Sequence, residues 1–147
     1  MIHTRKGDLL DATGLILHGC NAMGQMGMGV AKAIRLKWPA AYQAYRRRFI
    51  REGLHVGEVI FVDVAPGIVV ANAITQNATA KYPGQVVVDY AGIETACKAV
   101  AEVAVARGLT VNFPLIGCGL AGGDWGIVQP IIEKALGPDL DGVLWVL

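Results

Sequence analysis

The most constraining stretch of this 147-residue chain is Pro114-Leu115-Ile116-Gly117-Cys118-Gly119-Leu120-Ala121-Gly122-Gly123-Asp124-Trp125, where an apolar run meets four glycines before a helical pattern begins. Glycine costs backbone entropy, so such density needs positive φ angles or a ligand so close to the main chain that a Cβ would collide. A phosphate group meets the second condition. The stretch His18-Gly19-Cys20-Asn21-Ala22-Met23-Gly24-Gln25-Met26-Gly27-Met28-Gly29-Val30 repeats the arrangement near the other end of the chain, again between a short apolar run and a helical pattern. Amides freed at a helix start, with the helix dipole behind them, form an anion site. Two such loops suit a diphosphate.

With 54% hydrophobic and 17% charged residues, residues 1–147 suffice for one domain with a substantial core. The formal net charge of +1 gives no overall field toward nucleic acid or an acidic membrane. Arg46-Arg47-Arg48 and Arg51 lie on an amphipathic helical pattern and read as a solvated helix face rather than a phosphate-backbone site. Cys20, Cys97 and Cys118 are odd in number and have no metal-ligand spacing, so neither a disulfide framework nor a metal site is expected, and a reduced, cytoplasmic setting fits. No leader pattern and no apolar run of about 18 residues is visible, so no membrane partner is expected. The chain contains no serine, which excludes a Ser-His-Asp triad and a serine nucleophile elbow.

In chain order, residues 1–5 predict an edge strand and 15–18 a buried strand feeding the first glycine loop. Val30, Ile34 and Trp38 fall at helical spacing until Pro39, and Tyr42, Tyr45 and Phe49 continue a second helix to Gly53. Residues 58–64 and 68–74 read as a strand pair around Ala65-Pro66-Gly67, and 75–88 as a loop at one sheet end. Ile93, Cys97, Val100 and Ala104 mark a long helix over 89–107, closed by Gly108. Residues 110–116 predict the strand that feeds the central loop. The next helix starts at Trp125 or Gln129, because Pro130 suits a first turn, and 143–147 form a last strand. Alternating strands and helices predict an α/β fold, a three-layer α/β/α sandwich with a mixed, largely parallel central sheet whose strand ends carry the ligand.

Gly117-Cys118-Gly119-Leu120-Ala121-Gly122 also matches GxGxxG. A dinucleotide fingerprint opens a βαβ unit and has an acidic residue ending the next strand, whereas here only one strand remains and Asp139 and Asp141 precede it. No GxxxxGK[ST] occurs, which disfavours a P-loop nucleotidase.

Taken together, Lys6-Gly7-Asp8-Leu9, His18-Gly19-Cys20-Asn21-Ala22, Gly27-Met28-Gly29-Val30-Ala31 and the Pro114–Trp125 stretch resemble the macro domain. The resemblance is greatest to the branch holding yeast-type ADP-ribose 1''-phosphate phosphatases and terminal ADP-ribose glycohydrolases acting on modified glutamate. It implies a hydrolase that binds ADP-ribose and removes a group from the distal ribose, with ADP-ribose 1''-phosphate as leading substrate and no cofactor. A non-catalytic ADP-ribose-binding module and a hydrolase of ADP-ribosylated protein or nucleic acid are the alternatives.

The resemblance also implies roles for individual residues. Asp8 would accept a hydrogen bond from the adenine amino group with Leu9 beside the ring, though Asp after Gly is also a common turn or helix cap. Asn21 would hydrogen-bond the distal ribose. Gly27, Met28, Gly29 and Val30 would meet one phosphate through their amides. Ile116, Gly117, Cys118, Gly119, Leu120, Ala121 and Gly122 would meet the other phosphate and the distal ribose. Trp145 or Leu147 could wall the adenine, or pack in the core. The catalytic lysine and aspartate of the glutamate-linked branch are replaced, since Ile74-Thr75-Gln76-Asn77 and Gly119-Leu120-Ala121 stand in their places and Lys81 lies several residues away. The remaining catalytic candidates are Asn21, His18 and Asp124. Asp124 reads as a general base or a helix N-cap, and His18 as a catalytic or structural histidine.

Overall fold

The computed structural model describes all residues from Met1 to Leu147. Six strands form one sheet: β1 (Ile2–Lys6), β2 (Gly14–Asn21), β3 (Val59–Ala65), β4 (Ile68–Gln76), β5 (Val111–Phe113) and β6 (Gly142–Val146), in the order β1-β6-β5-β2-β4-β3. All neighbours run parallel except β3, which returns antiparallel against β4 at the edge. The β3–β4 turn follows from Pro66-Gly67: proline presets the first corner, and Gly67 takes the positive φ of 74° at the second.

Four helices cover the two faces: α1 (Gly29–Lys37), α2 (Pro39–Glu52), α3 (Tyr90–Arg107) and α4 (Trp125–Leu136). The central strands β2 and β4 are buried on both faces, which is why Leu15-Ile16-Leu17 and Val69-Val70-Ala71 are apolar without alternation. Leu15, Leu17, Ala71 and Ala73 pack with α3 and α4, whereas Ile16 and Val70 pack with Ile34 of α1 and Ala41 of α2. The expected α/β sandwich and its largely parallel sheet are the observed architecture.

Two boundaries differ from the expectation and a third, left open in the sequence, is fixed, each for a local reason. β2 continues past His18 to Asn21, because Gly19 and Cys20 pair in register with Ala73 and Ile74 of β4. β5 stops at Phe113 because Pro114 cannot donate to the ladder. α4 starts at Trp125 rather than Gln129: Asp124 Oδ1 accepts from the Gly126 amide at 2.8 Å, and Pro130 is tolerated inside the helix. No helix is long and apolar enough to cross a membrane.

Candidate functional site

Both glycine stretches lie at the C-terminal ends of β2 and β5, beside the end of β4. They border a cleft of about 550 Å³. One wall is Asn21, Gln25 and the segment from Gly27 to Ala31; the other runs from Pro114 to Gly117 and from Gly119 to Ala121. Thr75, Gln76, Thr79 and Ala80, which follow β4, close the third side. No Asp, Glu, Lys or Arg lines it.

Polarity comes instead from the main chain. α1 begins after Met28 with no side-chain cap, while α3 and α4 are capped by Asp89 and Asp124. The amides of Gly27, Met28, Gly29 and Val30 make no bond within the protein, and across the cleft those of Gly117, Gly119, Leu120 and Ala121 make none either. Most of these residues are exposed, so their amides are open to a ligand from solvent, and the two sets border one space with the α1 dipole behind one of them. The second loop is nevertheless rigid: Gly123 N donates to Gly117 O (2.7 Å), Gly122 N to Gly119 O (3.1 Å), and Val87 N to Ala121 O (2.9 Å). Gly122, at φ 75°, has no space for a side chain because a Cβ would collide with the Gln85 carbonyl. Gly119 is the opposite case, since a Cβ there would meet no atom within 4 Å.

Asn21 lines the cleft and also builds it. Its Oδ1 accepts from the Met23 amide (2.9 Å), its Nδ2 donates to Gln25 O (3.0 Å), and the buried Tyr45 hydroxyl lies 2.7 Å from its carbonyl oxygen and 2.9 Å from Oδ1. One N–H of the amide remains for a ligand. Thr75 is only 1% exposed, and its Oγ1 is the one buried side-chain polar atom without a hydrogen-bond partner. It sits against Gly19, where a Cβ would come within 2.7 Å of it.

The other catalytic candidates are placed differently. His18 lies under the cleft floor with its side chain wholly buried, Nε2 at 2.6 Å from Asn72 Oδ1, and Asn72 in turn donates to the Ala41 carbonyl of α2. Burial lowers its pKa to about 4, against a smaller raising effect of Asn72, so the ring is neutral at pH 7 and ties β2 to β4 and α2. Of the two expectations for His18, these contacts fit the structural one, although the residue borders the cleft together with Gly19 and Cys20. Asp124 is the α4 cap, exposed and outside the cleft lining. Asp8 likewise caps the short 3₁₀ turn at Leu9–Asp11, its Oδ1 accepting from Leu10 N (2.9 Å), and does not line the enclosed cleft. Leu9 is buried with Ile16, Ile34 and Trp145.

Cys118 and Gly122 support the loop without lining it, and Cys118 Sγ donates to Ile116 O (3.2 Å). Burial pushes the thiols of Cys20 and Cys118 upward, with the Asp124 charge adding to the effect at Cys118, so both stay protonated. Trp145 donates to Asn112 Oδ1 in the core (2.9 Å), and Leu147 is exposed. Lys81 is exposed and also outside the lining, although its neighbours Thr79 and Ala80 are in it. Ten lining residues are absent from the sequence-derived set: Gly19, Cys20, Ala31, Pro114 and Leu115 lie within or beside the quoted glycine stretches, and Gln25, Thr75, Gln76, Thr79 and Ala80 add polar or small groups. Their signal is position, immediately beyond a central strand of an α/β sheet.

The macro domain family profile matches residues 17–132. The chain belongs to the macro domain family. A DNA ADP-ribosyl glycohydrolase of Mycobacterium tuberculosis is 28% identical over 99% of this chain, which spans 42% of that protein. An ADP-ribose 1''-phosphate phosphatase of Aspergillus oryzae is 48% identical, but over 42 residues, 27% of this chain and 21% of that protein. A macrodomain protein from Streptomyces coelicolor superposes with a TM-score of 0.84 at 33% identity, covering 100% of this chain and 99% of that one. The chain thus spans less than half the length of these two curated relatives, while the structural match is end to end.

Proposed function

We propose that this macro domain binds ADP-ribose in the cleft and hydrolyses the bond that joins its distal ribose to a macromolecule. The observation that carries this reading is the convergence of unpartnered amides from Gly27–Val30 and Gly117–Ala121 on one space free of charged side chains. Two amide arrays and a helix dipole match the two phosphates of a diphosphate, and open glycines let the main chain approach it. The distal ribose would then lie toward Asn21 and Thr75, past the ends of β2 and β4.

Hydrolysis breaks the bond between the anomeric carbon and the leaving atom. Water supplies the new oxygen substituent and a proton goes to the leaving group. With no carboxylate or lysine in the lining, the loops would act chiefly by holding sugar and water and by stabilising developing charge through fixed dipoles. A macromolecular leaving group is favoured because the likeness to the glycohydrolase runs through the whole chain. Phosphate as the leaving group, from ADP-ribose 1''-phosphate, is the second reading, and the short but more identical match to the phosphatase favours it.

The test is a pair of time courses with the same enzyme, one following ADP-ribose released from ADP-ribosylated oligonucleotide or protein and one following phosphate released from ADP-ribose 1''-phosphate. Faster turnover of a modified macromolecule is expected. Faster phosphate release would reverse the order of the two readings, and binding without product in either assay would leave a non-catalytic reader.

A further inference from the structure

We infer that the α1–α2 helix pair is a docking surface for the sugar-phosphate backbone of a nucleic acid strand, the carrier of the ADP-ribose that enters the cleft. The inference rests on the hydrolase reading above and adds the substrate class to it.

The observation is a separation of charge. α1 carries Lys32, Arg35 and Lys37, and α2 carries Arg46, Arg47, Arg48 and Arg51, with Glu52 the one acidic residue between Gly29 and Glu52. Seven of the 13 basic residues and one of the 12 acidic ones give this segment +6. The rest of the chain is therefore −5, since the total is +1. The near-neutral total conceals an uneven distribution of charge along the chain. In sequence the arginines read as a solvated helix face; in the fold α1 packs beside α2, on the same side of the sheet.

Part of this charge is used internally. Arg48 pairs with Glu58 at 2.9 Å and Glu52 at 3.8 Å, and Lys37 Nζ donates to the Leu10 carbonyl at 2.6 Å. Lys32, Arg35, Arg47 and Arg51 make no ion pair, and Arg35 is spread over the ring of Tyr42 at 5.3 Å. Lys32, Arg47 and Arg51 are exposed, so these cations are open to a polyanion that can engage several of them at once.

Position links the cluster to the cleft. The amides of Gly29 and Val30 that open α1 line the cleft, and Arg46 Nη1 donates to Gly24 O (3.0 Å) in the loop between Asn21 and Gly27. A strand lying along α2 would therefore meet the cleft at the Asn21 end, where the reacting ribose is proposed to lie. Nucleic acid is favoured over an acidic peptide because its charge repeats at every residue, and because Tyr42 and Phe49 already stack with Arg35 and Arg46, leaving contacts to phosphates rather than to bases or apolar side chains.

The test measures fluorescence anisotropy of an unmodified single-stranded oligonucleotide against salt, for the parent protein, for Arg47→Glu/Arg51→Glu, for the milder Arg47→Gln/Arg51→Gln, and for Lys98→Glu/Lys134→Glu on the opposite face. ADP-ribose affinity is read in parallel by calorimetry. The α2 reversal should weaken oligonucleotide binding about tenfold or more. The glutamine pair should lower the salt slope by about 1 to 2, and the Lys98/Lys134 pair should change neither. ADP-ribose affinity should be unchanged in all variants. Oligonucleotide binding insensitive to both α2 pairs, or absent at low salt while ADP-ribose still binds, would overturn the surface and leave the cleft intact. Tighter binding of a polyglutamate peptide of equal charge would replace the nucleic acid with an acidic protein. Loss of ADP-ribose binding in the parent protein would instead overturn the reading of the cleft, whatever the oligonucleotide does.

Discussion

The molecule has two recesses of nearly equal size at opposite ends of its sheet, and they are built from opposite materials. The cleft at the C-terminal strand ends holds about 550 Å³ and is lined by glycine, amide and apolar groups without a charged side chain. The recess at the N-terminal ends holds about 560 Å³ and is lined by His3, Arg5, Asp11, Asp141 and the Asn112–Trp145 pair. Size does not separate them; hydrogen-bond satisfaction does. Asn112 Nδ2 donates to the carbonyls of Thr13 (2.8 Å) and Leu15 (3.2 Å), its Oδ1 accepts from Trp145, and Arg5 stacks over Trp145 at 4.6 Å, so the buried polar groups there are already paired. In the cleft, two runs of amides and the Thr75 hydroxyl have no partner. Main-chain donors left free on both walls of one cleft, beside a buried hydroxyl without a partner, mark a ligand site better than empty volume does.

The contrast can be broken most directly at Gly119. Gly119→Val should fold normally, since its Cβ meets nothing within 4 Å, yet the side chain would occupy the ligand space. ADP-ribose affinity should fall by a hundredfold or more, about 2.7 kcal/mol, and an unchanged Kd in a folded variant would place the diphosphate elsewhere.

The opposite recess should answer in stability alone. Asn112→Ala takes away the acceptor of the Trp145 N–H and the side-chain donor to the Thr13 and Leu15 carbonyls, so urea denaturation should show a loss of about 2 kcal/mol, while ADP-ribose affinity at a temperature where the variant is folded should match the parent. A selective loss of affinity would show that the two ends are coupled.

Asn21→Ala should lower kcat about tenfold and affinity less, because Asn21 is both the support of the Met23–Gln25 loop and the donor nearest the proposed reacting ribose. Equal losses in the two would make it a binding residue. Thr75→Val is the subtlest change. It removes a buried hydroxyl that no protein atom satisfies, so the melting temperature should hold or rise slightly, while kcat drops a few-fold. No kinetic change would assign the hydroxyl no role in turnover.

How much of this was legible in the sequence depends on what had to be inferred. The strand-turn-strand around Pro66-Gly67, the capped helix before Gly108 and the two glycine loops are local signals, and the fold follows them. Side-chain direction is not local. His18, Asp8 and Asp124 are polar residues at element ends, and whether each faces the cleft, the core or its own helix cap is decided by β2 pairing with β4 and by where each turn begins. His18 turned inward to Asn72, and both aspartates are occupied by caps. Thr75 carries no motif of its own; its significance comes from Gly19 leaving it beside the cleft without a partner. The proposed basic face needed the third dimension in another way, since α1 and α2 each carry an ordinary charge pattern and only the fold sets the two helices side by side.

The most direct measurement is calorimetric titration of the protein with ADP-ribose, with ADP and NAD at the same salt. The account predicts micromolar ADP-ribose binding at one site, with ADP weaker for lack of the distal ribose and NAD much weaker because the space around that ribose does not admit the nicotinamide. Preference for NAD, or no heat with any of the three, would contradict the assignment of the two amide arrays to the diphosphate of ADP-ribose.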